Sequence, residues 1–297
     1  MRTVLACLSI LAALALPAAA AEPAPLSYAG KTVLVTGSTD GLGRELALAL
    51  AADGAHVIVH GRNAERGQAV VDEITAGGKG SARFVAADFS SLQAVRDFAE
   101  AIARDTPRLD LLVNNAGVAF NDGTRHASAD GHELQFAVNY LAGWVLVNRL
   151  RPNLAAAAPS RIINVASLSA EPIDFDDVML EAPDAARRGY GQSKLAQVSM
   201  TVELAPAFAA DGITMVSLHP ATLMNTTMVE GLGIPPRTTV EAGRDHVMGL
   251  VRAPTLVAGA FYVEGTPGEP LDPQPSDAAA RQRLVTLSEQ LTGVARD

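Results

Sequence analysis

Tyr190 and Lys194, in the run YGQSK, are a phenol and a primary amine four residues apart. On a helix, positions i and i+4 share one face. An ammonium held roughly 4 Å from a phenolate, at an effective dielectric of about 20, is worth about 4 kcal/mol, enough to draw a tyrosine pKa from about 10 toward neutrality. Such a tyrosine would both give and take a proton under ordinary conditions. A lone Y-x-x-x-K is more often a surface pair with no chemistry, so the rest of the chain must decide its meaning.

A second chemical signal lies far upstream. TGSTDGLG, Thr36 to Gly43, follows an apolar run and opens an alanine- and leucine-rich stretch. Gly37, Gly41 and Gly43 remove side chains where backbone must turn tightly and approach a pyrophosphate, and the free N–H groups of a helix start favour its negative charge. Taken alone, glycines after a strand are also simply a turn.

The elements that would position these residues alternate. Short apolar runs (VLVTG, HVIVH, LLVNN, RIINV) are separated by longer amphipathic or alanine-rich stretches. We read strands near Thr32–Thr36, His56–His60, Arg83–Ala87, Leu109–Asn114, Arg161–Ala166, Ile213–Leu218 and Ala260–Val263, with helices between them. Strands that are apolar throughout belong to a parallel sheet covered on both faces. The expectation is an α/β fold, a single doubly wound Rossmann-type sheet of about seven strands over residues 31–297, with no linker or repeat that would split it. The proline-rich stretch Thr266 to Asp277 reads as an extended connection to a terminal helix near Ala278–Leu291.

Composition narrows the classes. With 48% hydrophobic residues, 19% charged residues and a net charge of -9, the 297-residue chain has material for a large core and no basic footprint for nucleic acid. Asp174, Asp176 and Asp177 cluster in the excursion from Leu168 to Arg188, but no histidine or regular ligand spacing accompanies them; a solvated loop is expected, and no metal. Residues 1–21 have Arg2, an apolar stretch from Val4 to Leu16, Pro17 and small residues to Ala21, the pattern of a secretory signal peptide. That stretch is too short for a comfortable membrane span, so no stable span is expected in the mature chain. Export to the periplasm or medium follows, or a cytoplasmic location if the leader does not function. Cys7, the only cysteine, falls in this segment and leaves the mature chain without a thiol.

Four motifs together resemble the short-chain dehydrogenase/reductase family: TGSTDGLG, NNAG at Asn114 to Gly117, the serine of NVASLS at Ser167, and YGQSK. They occur in the family's order at the expected strand ends. YGQSKLA and the terminal ARQRLVTLSEQLTG lean toward its retinol-dehydrogenase-like branch. The resemblance implies an NAD(P)-dependent oxidoreductase acting on a small alcohol or carbonyl compound. It makes Tyr190 the acid/base, Lys194 the cation that lowers its pKa and holds the nicotinamide ribose, Ser167 the hydrogen-bond partner of the substrate oxygen, and Asn139 a support for a water-linked proton path. Gly37, Ser38, Thr39, Gly41, Leu42 and Gly43 would surround the pyrophosphate. Asp88 with Phe89 would meet the adenine, Asn115, Ala116 and Gly117 the ribose side, and Pro220 and Ala221 the nicotinamide. Asp88 and Asn114–Asn115 also read as residues that satisfy helix or loop backbone.

The second strand ends in Arg62 rather than a carboxylate. A 2′-phosphate wants a cation there, so Arg62, helped by Asn63 and Ser38, favours NADP over NAD; an ordinary solvated arginine is the other reading. Ser167 lies 23 residues before Tyr190, farther than is usual in the family, with Ser169 as the fallback, and HPAT at His219 to Thr222 has alanine where glycine is usual. The stretch Leu223 to Pro236 would cover the substrate with an adaptable apolar wall. By analogy, the helices after the fourth and fifth strands could pair subunits into a homo-oligomer. An idle dinucleotide sensor on the same fold is the rival from another class, and a sugar-nucleotide epimerase a more distant one.

Overall fold

The computed structural model describes residues 24–296. The leader at 1–21 and Cys7 lie outside the described residues. The chain runs β1 (Thr32–Val35), α1 (Gly41–Ala52), β2 (His56–Gly61), α2 (Ala64–Gly77), β3 (Ser81–Ala86), α3 (Leu92–Asp105) and β4 (Leu111–Asn114). Then α4 (Leu134–Phe136) passes through a π-helical turn (Ala137–Leu141) into α5 (Ala142–Arg149) and α6 (Arg151–Ala156). After β5 (Ser160–Val165) come α7 (Gly189–Ala210), β6 (Ile213–His219), α8 (Thr227–Gly231), α9 (Val240–Arg252), β7 (Phe261–Val263), β8 (Thr266–Gly268) and α10 (Ala278–Thr292).

The sheet order is β3-β2-β1-β4-β5-β6-β7-β8, parallel through β7. Alternation along each strand feeds two cores. In β1, Val33 and Val35 face the layer of α1, α2 and α9, and Leu34 faces α3, α5, α7 and α10. Both layers are dry, which is why the strands lack polar alternation. The order reverses between β1 and β4, so the carboxyl ends of these strands border a crevice where a doubly wound sheet binds its ligand.

Among the described residues the sheet has eight strands, in keeping with the about seven expected plus one short edge strand. Part of the stretch expected to be an extended connection forms the antiparallel edge strand β8, because Glu264 and Gly265 both adopt positive φ (50° and 84°) and close a two-residue hairpin pairing Val263 with Thr266. The terminal helix falls where expected. It lies over the layer containing α5: Trp144 Nε1 donates to Val294 O at 2.9 Å, Tyr140 Oη and Ser288 Oγ are 2.6 Å apart, and Arg96 donates to Thr292 O at 3.0 Å. Trp144, Val145, Leu146 and Val147 are all wholly buried within one chain, so α5 presents almost no face for a second copy.

Candidate active site

The glycine turn is held from three sides. Gly37 has φ +64°, and a Cβ there would stand 2.8 Å from Ala116 Cα; at Gly43 it would collide with the Gly37 carbonyl and meet Asn115 Nδ2 at 2.5 Å. The glycines thus let α1 begin hard against the turn and the turn against the NNAG loop. Thr36 Oγ1 accepts from Asn115 N (3.0 Å) and Ala116 N (2.9 Å), and Asn115 Nδ2 donates to Thr36 O and Gly37 O. Asp40 caps α1 through Gly41 N, while the N–H groups of Leu42 and Gly43 lie in its first turn, where helix geometry supplies no acceptor. These donors and the missing side chains fit an anionic, flat-lying group such as a dinucleotide pyrophosphate.

His60, which the sequence reading passed over, braces the same turn. Its Nδ1 accepts from Gly37 N at 3.0 Å, its Nε2 is 3.3 Å from Ala87 O, and its ring stacks on Phe89 with centroids 4.0 Å apart. Burial lowers its pKa to about 4, so the ring is neutral. The available signal was an imidazole at the end of an otherwise apolar strand.

Several predicted cofactor residues are engaged within the protein. Ser38 is fully buried, donating to Val35 O and accepting from His60 N, so its hydroxyl is not aimed at a 2′-phosphate. Asn63 Oδ1 caps α2 through Arg66 N. The Phe89 ring is buried against His60, Leu42 belongs to the α1 core, and Thr39 packs over Gly61. Pro220 O accepts from His246 Nδ1 at 2.7 Å, and Ala221 is buried beside it. Arg62 remains outward: its side chain is 69% exposed, with one guanidinium nitrogen 3.9 Å from Asp88. Asp88 also accepts from Ser90 N, while Ser91 caps α3.

The four chemical residues converge. Asn139 sits in the π turn, where the extra residue per turn aims its amide at the loop after β4. Its Oδ1 accepts from Val118 N at 2.7 Å, and its Nδ2 donates to Val118 O and Ser193 Oγ. Ser167, just past β5, accepts from Ser169 N and hydrogen-bonds Tyr190, so Ser169 supports Ser167 rather than replacing it. Lys194 Nζ lies 5.6 Å from the Tyr190 ring centre and donates to Val165 O (2.8 Å) and Gln197 Oε1 (3.0 Å).

The electrostatics depart from the sequence expectation. Burial pushes the Tyr190 phenol up, opposed only by its bond to Ser167, and pulls Lys194 down to about 7. Lys194 is buried and Tyr190 half-buried, and each is driven toward its uncharged form. Desolvation therefore outweighs the attraction that was to lower the tyrosine.

The long excursion after Ser167 folds back on α7. Gly191 admits Glu171 and the Ser169 carbonyl where a Cβ would stand 2.7 and 2.9 Å from them. Gln192, another residue the sequence reading missed, accepts from Asp174 N and donates to Val178 O. The acidic cluster closes turns: Asp174 accepts from Asp176 N and Arg188, and Asp177 from Glu181 N and Ala182 N. His219 bridges Leu168 N and Thr222 Oγ1. The covering stretch after β6 contains α8 and reaches both sides of the crevice, with Thr227 Oγ1 donating to Asp40 at 2.8 Å and Asn121 Nδ2 to Leu232 O at 3.0 Å.

A doubly wound sheet with a glycine turn after β1 and a Ser-Tyr-Lys group beside β5 defines a class. The chain belongs to the short-chain dehydrogenase family, whose model matches residues 31–234. It is thus an oxidoreductase of the kind that acts on CH–OH groups. It is 34% identical to human retinol dehydrogenase 13 over 92% of this chain and 87% of that one. Among solved structures it resembles an uncharacterised Mycobacterium paratuberculosis protein (TM-score 0.74, 26% identity, 91% and 96% of the two chains). It also resembles the Pseudomonas aeruginosa RhlG/NADP active-site complex (TM-score 0.66, 25% identity, 80% and 95%).

Proposed function

We propose that the protein is an NADP(H)-preferring oxidoreductase that interconverts an alcohol and a carbonyl on an apolar small molecule. The observation that carries this is the meeting of Ser167, Tyr190 and Lys194 at the end of β5, beside Gly117 and the glycine turn. The donors around the turn and the outward Arg62 would hold the dinucleotide, and the bound nicotinamide would supply the hydride. In the reducing direction Tyr190 Oη gives its proton to the carbonyl oxygen while Ser167 Oγ hydrogen-bonds the same atom. Negative charge on that oxygen is thereby met by two donors in a largely buried site. With its pKa raised by burial, Tyr190 stands as a phenol at neutral pH, the form that gives the proton in this direction.

Arg62 supports the preference for NADP, as does the likeness to a protein solved with NADP. Pairing of two copies through α5, suggested by family analogy, is not part of the reading, since α10 already lies there. Export by the leader is; N-terminal sequencing of the native protein with cell fractionation tests it. The function is tested by mixing purified protein with NADPH or NADH and a panel of apolar aldehydes and ketones, followed by nicotinamide absorbance. Tyr190→Phe is expected to lower kcat by about 100-fold or more while dinucleotide still binds. Absence of binding to either dinucleotide, or unchanged turnover in the variant, would reject the proposal, the second result pointing to an idle sensor.

A further inference from the structure

Lys194 carries three N–H donors and no acceptor. Two are already directed: one to Val165 O at 2.8 Å from the end of β5, one to Gln197 Oε1 at 3.0 Å from its own helix. Gln197 is three residues on, so both side chains leave the same face of α7. It is 1% exposed, and an ammonium can only donate, so the glutamine amide must present its oxygen. The third N–H of Lys194 is left for the side where Gly117 and Tyr190 stand; a Cβ on Gly117 would be 3.7 Å from Nζ, and the Tyr190 ring centre is 5.6 Å away.

We infer that Gln197 is the positioning residue of the site: its side-chain oxygen fixes the direction of the Lys194 ammonium and keeps it charged beneath Tyr190. The inference rests on the reading of Lys194 as the cation that serves Tyr190. Its physical basis is that a buried ammonium without acceptors loses its proton or turns away. The elements packed around Nζ present little else. Strand β5 offers a backbone carbonyl, the π turn Asn139, the loop after β4 Gly117, none of them titratable, and α7 offers Tyr190 as the one titratable neighbour. Among the described residues the Nζ hydrogen bonds go to Val165 O and Gln197 Oε1 and no carboxylate pairs with it, so none shares the task with Gln197.

The chain has three lysines, Lys31, Lys79 and Lys194, so Lys194 can be followed directly by NMR of protein labelled at the lysine Cε, without dinucleotide. Gln197→Met, which keeps length and removes the acceptor, is expected to move the Lys194 titration down by about one unit or more. Gln197→Glu, which supplies a charged acceptor, should move it up by at least as much. In turnover, Gln197→Met should show a loss in kcat that is greatest at alkaline pH and closes as the pH is lowered. Shifts of the same sign in both variants, or no shift in either, would overturn the assignment, since a packing role alone does not produce opposite signs. If Gln197→Met fails to fold, an unmoved titration in Gln197→Glu is sufficient to overturn it. A protein that passes this test yet reduces no carbonyl compound would instead count against the proposed function.

Discussion

Mild acid should destabilise the fold through His60, the residue that braces the cofactor turn. Its Nδ1 accepts the Gly37 N–H, and its Nε2 faces the Ala87 carbonyl, an arrangement that requires the neutral ring with its hydrogen on Nε2. Burial lowers the pKa from its ordinary 6.5 to about 4. As the pH falls, the unfolded chain therefore takes the proton first. Stability is unaffected by this group above about pH 6.5, declines progressively to about pH 4, and changes no further below it. A gap of about 2.5 units corresponds to about 3 kcal/mol in all, of which about 2 kcal/mol is lost by about pH 5. Lys194, lowered to about 7, adds a smaller fall of its own between about pH 7.5 and about pH 6, where the folded amine is still taking up its proton. His219 is lowered in the same direction, so the informative quantity is the difference between the unaltered protein and His60→Asn, whose amide oxygen can accept from Gly37 without titrating. Urea unfolding between about pH 7.5 and about pH 5 should show a fall in the unaltered protein about 2 kcal/mol larger than in the variant. Dinucleotide affinity should hold over this interval and weaken only as the pH approaches about 4, where the folded ring itself takes the proton. Parallel stability curves would refute the assignment of a buried neutral imidazole to the turn.

Two further outcomes test the site from its edges. Gly189→Ala would drive a methyl group into Gln135 Nε2 and to 3.0 Å from Glu133 Oε1, displacing the first turn of α7 and with it Tyr190; kcat should fall by between about tenfold and 100-fold with a smaller effect on dinucleotide affinity, and unchanged kcat would show that α7 is not aligned there. Arg62→Ala should raise the Kd for NADPH by about tenfold or more and leave that for NADH nearly unaltered, the loss of one charge-assisted contact; an equal effect on both cofactors would place the 2′-phosphate elsewhere.

The parallel sheet was legible because its strands are apolar on both faces, and the candidate site because Ser167, Tyr190 and Lys194 each belong to a recognisable local run. What escaped depends on contacts distant in sequence. Ser38 lies three residues past β1, yet its direction is decided by the His60 N–H, 22 residues away. Gln192 sits inside the YGQSK motif, but its purpose appears only when the excursion before it folds back onto α7. The Glu264-Gly265 hairpin left a readable trace, a glycine in a short polar step, that the nearby prolines obscured. The π turn at Asn139 left none: nothing in AVNYL marks an extra residue, and the two bonds that accompany it run to Val118, 21 residues away.

The reversed electrostatics of Tyr190 and Lys194 follow from the same burial that builds the fold. Packing α7 between β5, β6 and α10 buries Lys194 and half-buries Tyr190, and desolvation acts on phenol and amine together. Spacing along a helix fixes how near two charges stand, but the surrounding protein sets how strongly each resists being charged. An amine brought to about 7 is poised where modest changes in its acceptors alter its charge. That is why a neutral glutamine at Gln197, rather than a carboxylate, suits this position: a carboxylate would keep Lys194 protonated, but it would also cancel the field the lysine is there to exert on Tyr190.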